Sequence, residues 1–426
     1  MKNLSPTFLI CFSIIVWIFF YFLSPYDYYL YNSGVNGAFF ILLSFFAFLL
    51  GCQSVISSNS YNINKNSNIQ DHYNFLRIRK IFYLCLFFGA IGIFFRLIDN
   101  FALSNYQEFD NLTESRFASN NSFDEESNSA FSVLGALLFP YSLSALIIYI
   151  YFKEFIKFPS IPIYLFGGFF AFESFLGGGR LNILTWILYV FFAHLIKNHL
   201  NNKKLLKFNY RTLAYTVITI LIFLGYSLSI TFDRLEYFGI DKISYLLYSS
   251  DFREIQIDDA YLQFLEKNNS IFSNYIFMFY EIGHYYIHGL FEFIKLYNYN
   301  TSNYEYMLGA HQFNIFFKFF TFMGVEGLPS FEQTLSGYPQ AGQYTGFVGP
   351  SFIDFGNYSL IYFYLLGFLA RNIYILSVRK SFIGIILYPF VATTIITSPA
   401  FHASMQSNLY FLISLIVVLL IYKTKI

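Results

Sequence analysis

The chain is poor in charged residues and cysteine, and each shortage excludes a class of protein. Only 12% of its 426 residues are charged while 56% are hydrophobic, which is more apolar surface than soluble domains of this length bury. A water-soluble multidomain enzyme is therefore excluded. The net charge of +1 supplies no basic domain, so nucleic acid is not an expected partner. Cys11, Cys52 and Cys85 lie in or directly after apolar runs, which excludes a disulfide framework and metal-ligand spacing.

Several motifs that would identify an enzyme class are also missing. The sequence contains no internal repeat, no P-loop, no dinucleotide-binding glycine fingerprint and no nucleophile-elbow motif. Coupling to nucleotide hydrolysis is therefore not expected, and no cofactor is predicted.

Aromatic residues and long apolar runs are abundant instead. Phe, Tyr and Trp make up 23% of the chain, and many apolar segments approach the roughly 20 residues that cross a bilayer. These segments predict about ten transmembrane helices in an all-α polytopic membrane protein. The predicted spans are Phe8–Leu23, Val35–Leu50, Ile81–Leu97, Ala130–Phe152, Ile161–Leu176, Leu181–Ile196, Thr212–Phe232, Tyr358–Ala370, Ser381–Ile396 and Asn408–Tyr422.

The charge distribution predicts the orientation of these spans. With a cytoplasmic N-terminus, the cytoplasmic loops hold most of the 26 Lys and Arg residues but only Asp71 and Glu154 of the 25 acids, as the positive-inside rule requires. Both termini are thus predicted to be cytoplasmic. The predicted organisation is an N-terminal bundle of seven spans (1–232), a large periplasmic loop with interfacial helices (233–357) and a C-terminal bundle of three spans (358–426).

The large external loop is expected to carry the function, because loops of this length are seldom mere connections. Its aromatic stretch Ile271–Tyr297 is long enough for another span, which would require a second hidden span near Phe313–Met323. The charged and polar residues within the stretch favour a helix that lies on the membrane surface or lines a cavity.

Three arginines are predicted at the outer boundary of the membrane. Arg180 follows the glycine-rich turn Gly177, Gly178 and Gly179, where backbone N–H groups can approach an anion closely. Arg96 ends the third span and Arg234 follows the seventh. Because a guanidinium matches phosphate oxygens, a lipid diphosphate is one interpretation. The alternatives are contact with ordinary phospholipid headgroups and, for Arg180, an ion pair with Glu173.

Other side chains suggest chemistry less directly. Glu281, His284 and His288 have the spacing of one helix face, which permits a zinc site but equally an aromatic interfacial helix; no metal is predicted. His311 and Asp354 are candidate general bases or sugar ligands. The alternative for Asp354 is a helix N-cap before the eighth span.

The architecture resembles that of the bacterial O-antigen and capsule repeat-unit polymerases of the Wzy type. The resemblance rests on about ten spans with one long, late external loop, and on three stretches: the glycine-rich turn that ends in Arg180, Tyr286–Phe291, and Gln343–Gly356 with its Asp-Phe-Gly sequence.

The resemblance implies a glycosyltransferase at the outer face of the bacterial inner membrane. Because arginines can stabilise a diphosphate leaving group in place of a divalent metal, and because the metal-ligand set is weak, the enzyme is expected to be metal-independent. It would polymerise polyprenyl-diphosphate-linked oligosaccharide repeat units into O-antigen or capsular polysaccharide, with a chain-length regulator and a flippase of the same pathway as partners. His311 and Asp354 would be catalytic, and Arg180, Arg234 and Arg96 would bind the diphosphate. Two alternatives stay open: an O-antigen ligase of similar scaffold and, from another class, a glycolipid flippase or transporter.

Overall fold

The computed structural model describes residues 4–28, 34–54, 74–99, 130–176, 180–201, 210–299, 306–329, 345–401 and 407–424. Within these residues the fold is helical apart from one short ribbon of two strands, which confirms the all-α prediction. The helices are α1 (Pro6–Leu23), α2 (Gly34–Gln53), α3 (Phe75–Ile98), α4 (Ala130–Leu138), α5 (Pro140–Phe152), α6 (Ser160–Gly167), α7 (Phe169–Leu176), α8 (Leu181–Leu200), α9 (Tyr210–Phe238), α10 (Lys242–Arg253), α11 (Asp259–Lys267), α12 (Ile271–Tyr299), α13 (Asn314–Phe322), α14 (Val348–Phe355), α15 (Ser359–Val378), α16 (Phe382–Thr397) and α17 (Ser407–Lys423). The strands are β1 (Tyr26–Asp27) and β2 (Gln256–Ile257).

Among the described residues, six helical segments are long and apolar enough to cross a membrane. They are Pro6–Leu23, Val35–Gln53, Phe75–Ile98, Val133–Phe152, Leu181–Leu200 and Val348–Val378. Phe382–Thr397 and Leu409–Lys423 are shorter apolar helices. These helices indicate a membrane-embedded protein. The total of about ten spans and the cytoplasmic termini stay predictions.

Two of the predicted spans are interrupted. Ala130–Phe152 divides into α4 and α5 at Pro140, which has no N–H to continue the helical hydrogen bonds. Ile161–Leu176 divides into α6 and α7 at Gly168. There the carbonyl of Gly167 accepts the indole N–H of Trp186 from α8 at 2.9 Å. A side chain of a neighbouring helix thus satisfies a backbone group at the interruption.

The chain divides into two compact units that each combine distant segments. The first unit comprises Met1–Ile63, Leu246–Ile375 and Val391–Leu409, and the second comprises Asn64–Tyr245, Leu376–Phe390 and Tyr410–Ile426. The division predicted from the sequence (1–232, 233–357 and 358–426) refers to position relative to the bilayer, and it stays a prediction.

In the first unit, the long helix α12 packs beside α1 and α2. The indole N–H of Trp17 in α1 donates to the Ile287 carbonyl at 3.2 Å, and the hydroxyls of Ser13 and Tyr286 lie 3.2 Å apart. Ser13 is ten residues before the end of α1, or about 15 Å along it. The stretch predicted to lie on the membrane surface or line a cavity is therefore a continuous helix that lies alongside α1, not beyond its end.

The ribbon ties the segment after α10 to the end of α1. Strands β1 and β2 pair antiparallel, with Tyr26 opposite Ile257. The N–H of Asp258 donates to the Pro25 carbonyl at 2.9 Å, and the Asp258 carboxylate caps α11 by accepting the N–H of Ala260 at 2.8 Å. The ribbon thereby positions Tyr26 and the following residues against α12.

In the second unit, α3 packs closely against α4 and α5. A methyl group at Gly89 would lie 2.7 Å from the Ser142 backbone nitrogen, and Gly92 faces the backbone of Phe139 even more closely. Because glycine has no side chain, α3 can approach the interruption at Pro140 this closely. This packing fixes the end of α3 that carries Arg96.

Candidate functional site

Arg180, at the start of α8, is hydrogen-bonded to α9. Its Nη2 donates to the Thr231 hydroxyl at 2.7 Å, and Thr231 is only 5% exposed. Ser227, Thr231 and Leu235 are all buried and mark the inward face of α9. Arg234 comes three residues after Thr231 and is partly buried, so it lies one turn further along the same side. The structure thus places two of the three predicted diphosphate ligands beside one stretch of α9.

Arg180 differs from Arg96 in its charge environment. Within the described part of the chain, Arg180 has no carboxylate partner. By contrast, Arg96 forms ion pairs with Glu173 of α7 and, at 3.7 Å, with Asp99. The Arg96 Nε also donates to the Glu173 carboxylate at 2.5 Å. Glu173, which the sequence offered as a partner for Arg180, therefore pairs with Arg96 instead.

The end of α7 contacts the same stretch of α9. The Phe175 ring stacks on Tyr226 with centroids 4.9 Å apart, and the Tyr226 hydroxyl donates to the Phe175 carbonyl at 3.4 Å. The residues before and after the glycine-rich turn therefore both contact α9, at Tyr226 and at Thr231. Gly177, Gly178 and Gly179 themselves lie outside the described residues.

The two predicted catalytic residues, His311 and Asp354, are adjacent in the first unit. One oxygen of the fully buried Asp354 carboxylate accepts the backbone N–H of His311 at 2.9 Å, and the other accepts the backbone N–H of Gln312 at 3.0 Å. The backbone of Asp354 also accepts the N–H of Leu308 at 3.0 Å. The alternative interpretation made Asp354 the N-cap of the eighth span. Instead, Asp354 lies within α14 and its carboxylate binds the backbone of a different segment. It caps the turn 307–312, which its backbone and side chain hold together.

Gln312 extends this contact to α15. The Tyr362 hydroxyl donates to the Gln312 side-chain carbonyl at 3.0 Å, and Gln312 is only 2% exposed. Burial lowers the pKa of His311 from 6.5 to about 4. Its imidazole is therefore neutral at pH 7 and able to accept a proton, although so low a pKa makes it a weak base.

The polar residues of α12 form a buried row. Glu281, His284 and His288 are each at most 3% exposed, and the His284 and His288 rings stack with centroids 5.1 Å apart. The Tyr26 hydroxyl donates to Glu281, and the Tyr28 hydroxyl is hydrogen-bonded to His284 Nδ1. Burial, and then the Glu281 charge, raises the pKa of Tyr26, so its phenol stays protonated and donates.

This row makes hydrogen bonds where the sequence permitted a zinc site. In the described ranges, no three His, Cys, Asp or Glu side chains come together as metal ligands. Tyrosines between α1 and α2 provide contacts that the helical spacing of Glu281, His284 and His288 does not reveal.

Two of the stretches that carry the family resemblance meet at Gly289. A methyl group there would lie 2.8 Å from the Gly346 backbone nitrogen and 2.8 Å from the Ala400 carbonyl. The Phe347 N–H donates to the Ser398 carbonyl at 3.0 Å. Gly289 of the first stretch and Gly346 of the second thus come into close backbone contact beside the end of α16.

The fold defines the class of protein: the apolar helices indicate an all-α membrane-embedded chain. Comparison with protein-family models, curated proteins and solved structures finds no match to the chain.

The sequence did not single out Thr231, Gln312 or Tyr362, and it did not assign the Arg96–Glu173 pair. Thr and Tyr are common in apolar helices, so their contacts leave no local pattern. Glu173 was visible as the only acid between 160 and 180, and such an isolated carboxylate near the membrane requires a cationic partner.

Proposed function

We propose that the protein is a membrane glycosyltransferase that polymerises polyprenyl-diphosphate-linked repeat units at the outer face of the bacterial inner membrane. The observation that carries this proposal is the guanidinium of Arg180. Among the described residues it is bonded to a neutral hydroxyl, that of Thr231, and not to a carboxylate. A second arginine, Arg234, follows Thr231 by three residues on α9, and the glycine-rich turn directly precedes Arg180 in the sequence. Such a site suits a phosphate-bearing ligand.

The proposed reaction places the main demand on charge stabilisation. The bond between the anomeric carbon and the diphosphate oxygen breaks, and a new bond forms to a hydroxyl of the acceptor sugar, which loses its proton. The diphosphate leaves with the bonding electrons, so its negative charge grows in the transition state. Arginines that are already in place stabilise that charge, which allows the reaction to be metal-independent. In this proposal the neutral imidazole of His311 accepts the proton of the acceptor hydroxyl, whereas Asp354, whose two carboxylate oxygens bind backbone N–H groups, holds the turn that carries His311.

The first experiment is deletion of the gene in its native host, followed by gel analysis of the surface glycan. A ladder that collapses to a single repeat unit on its anchor is the result expected for a polymerase. Complete loss of attached glycan would instead favour the ligase or the flippase and would overturn the proposal.

The second experiment tests the site by complementing the deletion with Arg180→Lys or Arg234→Lys. Lysine keeps the charge but loses the planar fork, and a hydrogen bond to a charged group contributes about 1.5–3 kcal/mol. Loss of one such bond from the transition state slows the reaction by about tenfold to a hundredfold, so short ladders are expected at normal protein abundance. Arg79→Lys, at the opposite end of α3 and exposed, is the matched control. Normal ladders from both test variants would overturn the assignment of these arginines as the diphosphate site.

A further inference from the structure

We infer that Arg96 and Glu173 are positioning residues, whose ion pair fixes the end of α7 and thereby the position of Arg180 at the start of α8. This inference rests on the proposed function for its consequence in catalysis. The geometric part can be measured independently of activity.

The Arg96 side chain crosses α4 at a place where the sequence provides room. A methyl group at Gly135 would lie 2.8 Å from Cδ and 2.9 Å from Cγ of Arg96. Any larger residue at this position would collide with the aliphatic part of the arginine. Glycine at position 135 therefore allows the Arg96 side chain to reach from α3 across α4 to α7.

The guanidinium is held from more than one direction. It lies 6.0 Å from the centroid of the Phe139 ring, and the Phe139 ring stacks on Phe170 with centroids 5.9 Å apart. Phe170 precedes Glu173 by one helical turn on α7. The side chains of Arg96 and Glu173 retain only 23% and 15% of their exposure. An ion pair with two N–H donors to one carboxylate and aromatic support restricts both side chains to one arrangement.

The pair lies directly before the segment that leads to Arg180. Glu173 is two residues before Phe175, which stacks on Tyr226, and seven residues before Arg180, which binds Thr231. The described flanks of the turn are therefore held at three places, at Glu173 by α3 and at Phe175 and Arg180 by α9. Among these contacts only the Arg96–Glu173 pair connects the segment to α3. Loss of this pair is expected to loosen the end of α7 and the start of α8 while the contacts to α9 persist.

The test uses the full chain in lipid nanodiscs and measures hydrogen exchange of peptides covering 170–176 and 180–186. Glu173→Gln and Arg96→Met are each expected to raise the exchange rate of these peptides by about tenfold, with little change in α8 beyond residue 190. The double variant should match the single variants, because residues that act as a pair are not additive. Glu154→Gln, an exposed acid of the same unit, is the control and should exchange as the wild type.

Glycan ladders in the deletion host, read together with the exchange data, distinguish failure of the positioning role from failure of the proposed function. Shortened glycan ladders together with local exchange changes are the expected result. Normal local exchange in both single variants, or equal increases throughout the unit, would overturn the positioning role even if the ladders shorten. Local exchange changes in a protein whose deletion leaves the ladder intact would uphold the positioning role and sink the proposed function.

Discussion

Asp354 binds His311 through the main chain, with its carboxylate oxygen 2.9 Å from the His311 backbone nitrogen. The other carboxylate oxygen binds the backbone of Gln312. Both oxygens therefore serve as acceptors for N–H groups of one turn. The imidazole of His311 takes no part in this contact. Asp354 therefore fixes the backbone conformation of the turn.

Replacement of Asp354 by Asn should destabilise this turn. An amide offers only one oxygen, so one backbone N–H loses its acceptor and faces an NH₂ group. A buried donor left unsatisfied costs about 1–3 kcal/mol. We expect a lower thermal unfolding midpoint in detergent for Asp354→Asn. Asp241→Asn is the matched control, since the exposed Asp241 carboxylate also accepts a backbone N–H, that of Ser244 at 2.7 Å, but water can replace it. Equal midpoints for the two variants would contradict the assignment.

Stability should fall in acid because of His311. Its pKa in the folded protein is about 4, below the ordinary value of 6.5, so the unfolded chain binds the proton first as the pH falls. The contribution of the neutral imidazole is fully present above pH 6.5 and is lost between pH 6.5 and 4, by about 3 kcal/mol. The unfolding midpoint of the wild type should therefore decrease more steeply over this window than that of His311→Gln. Parallel pH profiles would show that His311 is not the group responsible.

Gly289→Ala should be harmful although alanine favours helices. The added methyl group would lie within 2.9 Å of three backbone atoms, in Ala400, Gly346 and Pro399, and overpacking of this kind typically costs about 1–3 kcal/mol. Gly283→Ala on the same helix is the control, since its methyl group would meet the movable ring of Phe20 at 2.8 Å. We expect reduced folded yield in nanodiscs for Gly289→Ala only. Comparable yields for both variants would indicate that the 346 and 399–400 segments can move apart.

Reporter fusions test the predicted orientation. Fusions after Lys80, Lys207 and Lys380 should report the cytoplasm, because the positive-inside rule places their flanking cations there. Fusions after Gly34, Ser129, Lys267 and Ser404 should report the periplasm. A cytoplasmic signal at Lys267 would contradict the external position of the large loop.

The helices could be predicted from hydropathy to different degrees. The uninterrupted apolar runs of α1, α2 and α8 give boundaries within a few residues, since polar or proline residues flank them. Proline at 140 signals the interruption there, whereas Gly167 and Gly168 give no signal that distinguishes a break from close packing. The interruption at Gly168 depends on Trp186, a partner in another helix, which hydropathy does not contain.

The candidate site could be predicted in residue type but not in pairing. Scarcity of cations on the predicted outer face singled out Arg96, Arg180 and Arg234. Which of them meets Glu173 depends on the room at Gly135 and on the side chains around Phe139. Sequence proximity favoured Arg180, seven residues from Glu173, whereas the packing of α3 brings Arg96 to it. Such choices follow from tertiary structure and leave no local pattern.

The hydrogen bond between Trp17 and Ile287 joins residues that are 270 positions apart, and this separation has a consequence for biogenesis. At ribosomal rates of about 5–20 residues per second, Ile287 is synthesised roughly 15–55 s after Trp17. During this interval the lipid-facing chain holds an exposed indole and the Ser13 hydroxyl without their final neighbours. The first unit therefore closes only after most of the second has been synthesised and inserted, so assembly of α1 with α12 is a late step of membrane insertion.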